Sequence, residues 1–114
     1  MNTMIITEQD NCVIATIPPD LTQHDYLEMR EYFNDHFFTK GKNKLVINCE
    51  AVTDLPSIAF GVFCSLTRDT RRLGGTFSLV HVGNALRKTM ARTHIDKQLN
   101  IVNTLTDAMK DERV

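Results

Sequence analysis

The triplet Leu45-Val46-Ile47 lies in a run, residues 44–49, that shows no alternation of polar and apolar side chains. A strand with one face in water reads apolar, polar, apolar, whereas a run that is apolar at successive positions is buried on both faces. Such a strand belongs inside a sheet that is covered on both sides, which restricts the chain to layered folds. The flanking sequence supplies the layers. Upstream, Tyr26, Met29, Phe33 and Phe37 fall at i, i+3, i+7 and i+11, the apolar face of a helix whose solvated side carries Glu28, Arg30, Glu31, Asn34 and Asp35. Thr22 with Asp25 three positions later forms a capping box for it, and Gly41 stops it. Downstream, Pro56-Ser57 opens a second helix with Ser57 as its N-cap. Ala59, Val62, Phe63, Leu66, Thr70 and Leu73 form the core stripe of that helix. Arg71 and Arg72 complement the negative end of its dipole, and Gly74-Gly75 end it.

The rest of the chain continues the pattern. Residues 4–8 and 12–17 read as two strands joined by the turn-forming Gln9-Asp10-Asn11, an antiparallel hairpin that Pro18-Pro19 terminates. Residues 76–82 form a strand, and Gly83-Asn84 starts a third helix with Leu86 and Met90 four apart. A short strand at Ile101-Val102 and an amphipathic helix from about Thr104 finish it. The order is β-β-α-β-α-β-α-β-α, and strands that alternate with helices need crossovers and hence a mostly parallel sheet. No internal repeat or long linker divides the chain. The expected fold is therefore α/β: a single domain over residues 1–114, an N-terminal β-hairpin joined to a mostly parallel sheet packed by about four helices.

Composition excludes several classes of function. A net charge of −1 provides no global field toward nucleic acid or an anionic membrane. No apolar run approaches the roughly 20 residues that span a bilayer, and residues 1–4 lack a basic, cleavable leader pattern, so membrane insertion and export are not expected. Cys12, Cys49 and Cys64 are odd in number, widely spaced and set among apolar neighbours, as expected of core thiols in a reducing cytoplasm. Metal ligation is not expected either. No Cys-x-x-Cys pair occurs, and His24, His36, His81 and His94 are scattered.

Residues 45–62 carry a family signature. A buried strand is followed by a turn with Val52 and then by Pro56-Ser57-Ile58-Ala59-Phe60-Gly61-Val62 opening a helix. The segment resembles the STAS domains of anti-sigma-factor antagonists, whose motif here reads Asp-Ser-(Ser or Thr)-Gly-Leu-Gly-Val. Ser57 matches the first serine, Gly61 the second glycine and Val62 the residue after it. Pro56, Ile58, Ala59 and Phe60 depart from the motif. Downstream, Arg71-Arg72-Leu73-Gly74-Gly75 and the apolar Leu86, Met90, Ile95 and Leu99 also look like the family's pattern. The resemblance implies a bacterial phosphoprotein of signal transduction and transcription regulation. It would bind a protein partner, an anti-sigma factor or serine kinase/phosphatase, and Ser57 would be the phosphorylated residue. No cofactor is implied.

Ser57 suits that role physically. A helix N-terminus offers free N–H groups and the positive end of the dipole to a phosphate. Toward a partner docked on the same surface, the phosphate adds about −1.5 to −2 charges. At about 100° per residue, Phe60 and Cys64 fall off the core stripe, and Phe60 beside the switch either anchors an interface or tucks under a neighbouring loop or helix. The expected partner surface is Pro56, Ser57, Ile58, Phe60, Gly61 and Cys64. The basic residues Arg68, Arg71, Arg72, Arg87, Lys88 and Arg92 read as solvated helix faces. An enzyme is not expected: Cys64 lies inside a helix, not at its positive end, and the chain has neither a nucleophile elbow nor a phosphate-cradling loop. The alternative function is a constitutive scaffold or transport-complex subunit of the same fold. A small-ligand role such as nucleotide binding has no phosphate loop to support it.

Overall fold

The hairpin at the start of the chain is made by its turn. The computed structural model describes residues 4–109. Strands β1 (Ile5–Gln9) and β2 (Cys12–Thr16) pair antiparallel with Gln9 opposite Cys12. Asp10 and Asn11 between them both take left-handed backbone, with φ of 51° and 65°. Two successive positive φ angles match the twist of the paired strands, and Asp and Asn tolerate that conformation better than most side chains.

β3 (Lys44–Asn48), β4 (Thr76–Val80) and β5 (Ile101–Val102) add in parallel to give one sheet of order β1-β2-β3-β4-β5. Its connections contain α1 (Gln23–His36), α2 (Ser57–Arg72) and α3 (Asn84–Arg92), and α4 (Leu105–Met109) follows β5. The expected α/β architecture is thus the observed one. β3 shows why its sequence does not alternate: Leu45 and Ile47 enter the larger core with Met29, Phe33, Phe63, Leu66, Leu86 and Met90 of the first three helices. Val46 points the other way, into a second cluster with Cys12, Ile14, Val80 and Ala108 of α4. Ser78 is also buried, and its hydroxyl accepts a hydrogen bond from Asn100 Nδ2 at 2.9 Å.

The ends of α1 and the C-terminal end of α2 follow the sequence in part. The capping box of α1 is formed: Thr22 Oγ1 accepts from the Asp25 N–H at 3.1 Å and Asp25 Oδ2 from the Thr22 N–H at 2.9 Å. Hydrogen bonding to that carboxyl from Thr22, first from its backbone N–H and then from its side chain, holds the Asp25 pKa below its ordinary value. Phe37 is half-buried at the C-cap, and a 3-10 turn, Phe38–Lys40, separates α1 from Gly41 at φ 85°. Leu73 is not a core residue: it is the C-cap of α2 and 46% exposed. The reason is the turn that ends the helix, where the Gly74 N–H donates to the Arg71 carbonyl (3.0 Å) and the Gly75 N–H to that of Thr70 (2.8 Å). This Schellman closure carries residue 73 off the core stripe. Residues 1–3 and 110–114 lie outside the described residues. So do the two ends of the expected 1–114 domain and the last part of the expected C-terminal helix.

The two glycines of this turn have different roles. Gly74 sits at φ 79° with open space around it, so a side chain there meets only the backbone penalty of the left-handed region. A Cβ on Gly75 would lie 1.8 Å from the Asn43 carbonyl oxygen. That oxygen also accepts from the Thr76 N–H at 3.0 Å, while Asn43 Nδ2 donates to the Leu73 carbonyl at 3.1 Å. Asn43 therefore fastens the end of α2 and the first residues of β3 and β4 together. Chemical denaturation of Gly74→Ala should show a loss of about 1–2 kcal/mol. Gly75→Ala should lose about 3 kcal/mol by displacing the Asn43 backbone. The reverse order would contradict the packing described.

Candidate functional site

Between β3 and α2 the chain makes a short connection that is anchored from below. The Val52 N–H donates to the Cys49 carbonyl (3.0 Å), the Glu50 N–H to Asn48 Oδ1 (3.0 Å), and the side chains of Val52 and Leu55 enter the larger core. These contacts, and none made by Ser57 itself, fix where the helix begins. Ser57 is not the N-cap expected from sequence. Pro56 takes that position with extended backbone (φ −65°, ψ 152°), its carbonyl accepting from the Ala59 N–H at 2.9 Å, and Ser57 is the first helical residue. The ring of proline fixes φ near −65° at no further cost, so the boundary falls one residue early. No side chain caps this end and its first turn holds no acidic group. The Ser57 hydroxyl is exposed and makes no hydrogen bond among the described residues.

From Ser57 an open groove of about 570 Å³ runs between α2 and α1, lined by Leu27, Arg30, Ser57, Ile58, Gly61, Val62 and Ser65. Ile58 is 37% exposed and Leu27 56%. Arg30 forms a two-pronged ion pair with Asp69, Nε to Oδ2 at 2.7 Å and Nη2 to Oδ1 at 2.9 Å, which marks the far end of the groove. Leu27, Arg30 and Ser65 were not among the residues expected from sequence. Their only signal is that α1 lies beside α2, which no local pattern contains. Gly61 is exposed in the middle of a helix and a Cβ there would touch nothing within 4 Å. Glycine at such a site costs about 1 kcal/mol relative to alanine, and no internal contact requires it.

Phe60 and Cys64 lie elsewhere. Both are half-buried against the larger core, and Cys64 Sγ donates to Gln98 Oε1 at 3.6 Å, just past the 3-10 turn Ile95–Lys97. Of the two alternatives weighed for Phe60, its packing is that of a residue tucked under a neighbouring element. Burial raises the Cys64 thiol pKa against a smaller opposing effect of Arg68, raises that of Cys12, and pushes Cys49 up to about 12. All three thiols are free. Arg87, read from sequence as solvated, is half-buried, and donates to the Val82 carbonyl (3.1 Å) and Asn103 Oδ1 (3.2 Å). Among the described residues no group of three or more His, Cys, Asp or Glu is placed to hold a metal ion, and no helix is long and apolar enough to cross a membrane.

The profile of one family, the STAS domain, matches residues 3–108, and the chain belongs to that family. A Thermotoga maritima protein provisionally named an anti-sigma factor antagonist is 25% identical over 104 residues, 91% of this chain and 92% of the relative. A crystal structure under the same provisional name, also from Thermotoga maritima, superposes with a TM-score of 0.84 at 24% identity, covering 99% of this chain and 97% of that one. The anti-sigma factor antagonist SpoIIAA in its unphosphorylated form superposes with a TM-score of 0.77 at 15% identity, covering 93% and 92% of the two chains. The phosphorylated form of the Bacillus protein gives 0.71 at 15% identity, covering 96% and 99%.

Two measurements check this geometry. Because Ser57 caps nothing, Ser57→Ala should change unfolding free energy by less than about 0.5 kcal/mol, where loss of a true N-cap costs about 1 kcal/mol. In a thiol-labelling time course at mildly alkaline pH, Cys64 should react first, though more slowly than a free thiol. Cys12 and Cys49 should wait for unfolding.

Proposed function

We propose that the protein is a non-enzymatic partner-switching regulator whose binding surface surrounds Ser57 and is controlled by phosphorylation of that residue. One observation carries the proposal: an exposed, unbonded serine hydroxyl stands at the uncapped start of α2, beside the exposed Ile58 and a Gly61 that no internal contact requires. A phosphate on Ser57 sits at the positive end of the helix dipole, so the fold tolerates it. The same dianion and its hydration shell oppose a partner pressed against Ile58 and the groove. The surface comprises Pro56, Ser57, Ile58 and Gly61, with Leu27 across the groove; Phe60 and Cys64 of the expected surface pack against the larger core instead. The relatives' names support an anti-sigma factor as the partner. A serine kinase/phosphatase as partner and a cytoplasmic site of action are part of the proposal and rest on the resemblance of the motif alone.

A second reading rests on Pro56. The residue before the serine carries no acid, and the nearby Asp54 carboxylate is turned to its neighbour, accepting from the Leu55 N–H at 2.9 Å. A kinase that needs an acid beside the serine would find none, which favours a constitutive scaffold or transport-complex subunit.

Mass spectrometry of the protein from its native host, with partner pull-down on variants, separates the two. The switch requires phosphate on Ser57, with the partner retained by Ser57→Ala and lost with Ser57→Asp. An unphosphorylated Ser57 and equal recovery from all three forms would leave the scaffold. Gly61→Ala provides an independent check. It should stabilise the isolated protein by about 0.5–1 kcal/mol and weaken partner binding, since the new methyl projects into the contact.

A further inference from the structure

The three helices over the larger core carry opposite charge at their two ends. α1 contains Asp25, Glu28, Glu31 and Asp35 against a single Arg30, whereas α3 contains Arg87, Lys88 and Arg92 and no carboxylate. Arg30 is held by Asp69, and Arg87 by Val82 and Asn103. What remains outward is more one-sided still, although Glu28 Oε1 also contacts the neighbouring His24 Nε2. At about 100° per residue, His24, Leu27, Glu28, Glu31 and Asp35 fall on one stripe of α1, opposite the buried Tyr26, Met29 and Phe33. At the edge of that acidic stripe nearest α2 stands Leu27, the most exposed large apolar side chain of any helix here at 56%.

On α3 the outward residues have the complementary character. Ala85, Lys88, Ala91 and Arg92, with Thr53 and Asp54 of the loop before α2, line an open cleft of about 800 Å³. Ala85 and Ala91 flank Lys88 and Arg92 on the helix surface and Thr89 completes the lining, so the apolar part of the cleft is the alanines and the two basic stems, whose cationic heads reach water. Lys88 has no ion-pair partner among the described residues, and Arg92 reaches only the Thr89 hydroxyl at 3.3 Å. Asp54, the one acid on the rim, accepts from the Leu55 N–H.

We propose that the acidic stripe of α1 docks into the α3 cleft of a second copy of this chain. Leu27 packs against the alanines and the apolar stems of Lys88 and Arg92, and Glu28 and Glu31 meet the cationic heads of those two residues. The contact joins unlike faces, because α1 and α3 lie on opposite sides of α2 in the same layer. Each added copy therefore leaves one acidic and one basic face open, and the assembly extends or closes as a ring instead of stopping at a two-fold dimer. The apolar area is small and most of the attraction is between exposed charges, so the association is weak and strongly salt-dependent.

Sedimentation of the full chain at submillimolar concentration tests this. In low salt the weight-average mass should rise above twice the 13.0 kDa of the single chain. It should return to that of the single chain near 1 M salt, where the screening length is only about 3 Å. Glu28→Lys with Glu31→Lys, and separately Lys88→Glu with Arg92→Glu, should each stay monomeric in low salt with an unchanged circular dichroism spectrum. Mixed in equal amounts, the two double variants should associate again, since each then offers the charge the other lacks. A wild-type chain that remains monomeric in low salt overturns the proposal, even if the α3 cleft takes an acidic segment of another protein. Association that ignores salt, or a mixture that fails to associate, overturns it equally.

Discussion

Burial of β3 on both faces is the constraint from which the rest of the structure follows. Leu45 and Ile47 need cover on one side and Val46 on the other, and each such side chain taken out of water contributes about 1.5–3 kcal/mol. The cover comes from α1, α2 and α3 on one face and α4 on the other. A strand enclosed in this way can release its chain only at its end. The connection leaving β3 is therefore pressed against the core at once, with Val52 and Leu55 as its anchors. Ordering those residues costs on the order of 1–2 kcal/mol each in backbone entropy, which burial of the two side chains offsets. Ser57 is placed by the burial of neighbours, not by bonds of its own.

α2 divides its circumference between two tasks. Ala59, Val62, Phe63 and Leu66 hold the helix to the sheet, and Tyr26 of α1 meets Phe63 edge-on with ring centroids 6.3 Å apart. The outward side holds little that the fold uses. Ser57 bonds to nothing, Gly61 has empty space around it, and the Arg30–Asp69 pair is an exposed contact of the kind worth about 1 kcal/mol or less. Stability and surface chemistry are thus carried by different residues of one helix, so the outward residues can vary without repacking the core.

Most of the architecture was legible in the sequence because it depends on local apolar patterns. The unalternating 44–49 run, the Tyr26-Met29-Phe33 spacing and the Thr22/Asp25 box each reappear as structure. The errors occur where two local rules compete. Serine is the better N-cap, but Pro56 already has the φ of the entry position, so Ser57 moved inside the helix. Leu73 continues the helical spacing, but the Gly74-Gly75 closure ends the helix before it. The groove was not legible at all, since Arg30 and Asp69 are 39 residues apart and meet only because successive crossovers place α1 against α2. Asn43 is similar: nothing around it in the sequence shows that its carbonyl lies where a side chain on residue 75 would have to go.

The absence of any internal bond to the Ser57 hydroxyl fixes what kind of information that residue can hold. A serine tied into the fold acts as a lever, because altering it moves whatever it was tied to. One that is tied to nothing acts as a label. A group attached there rewrites the surface and leaves the architecture beneath it alone, so no distant part of the domain learns of the change. A partner that responds to such a group would have to meet it directly on the surface at the start of α2.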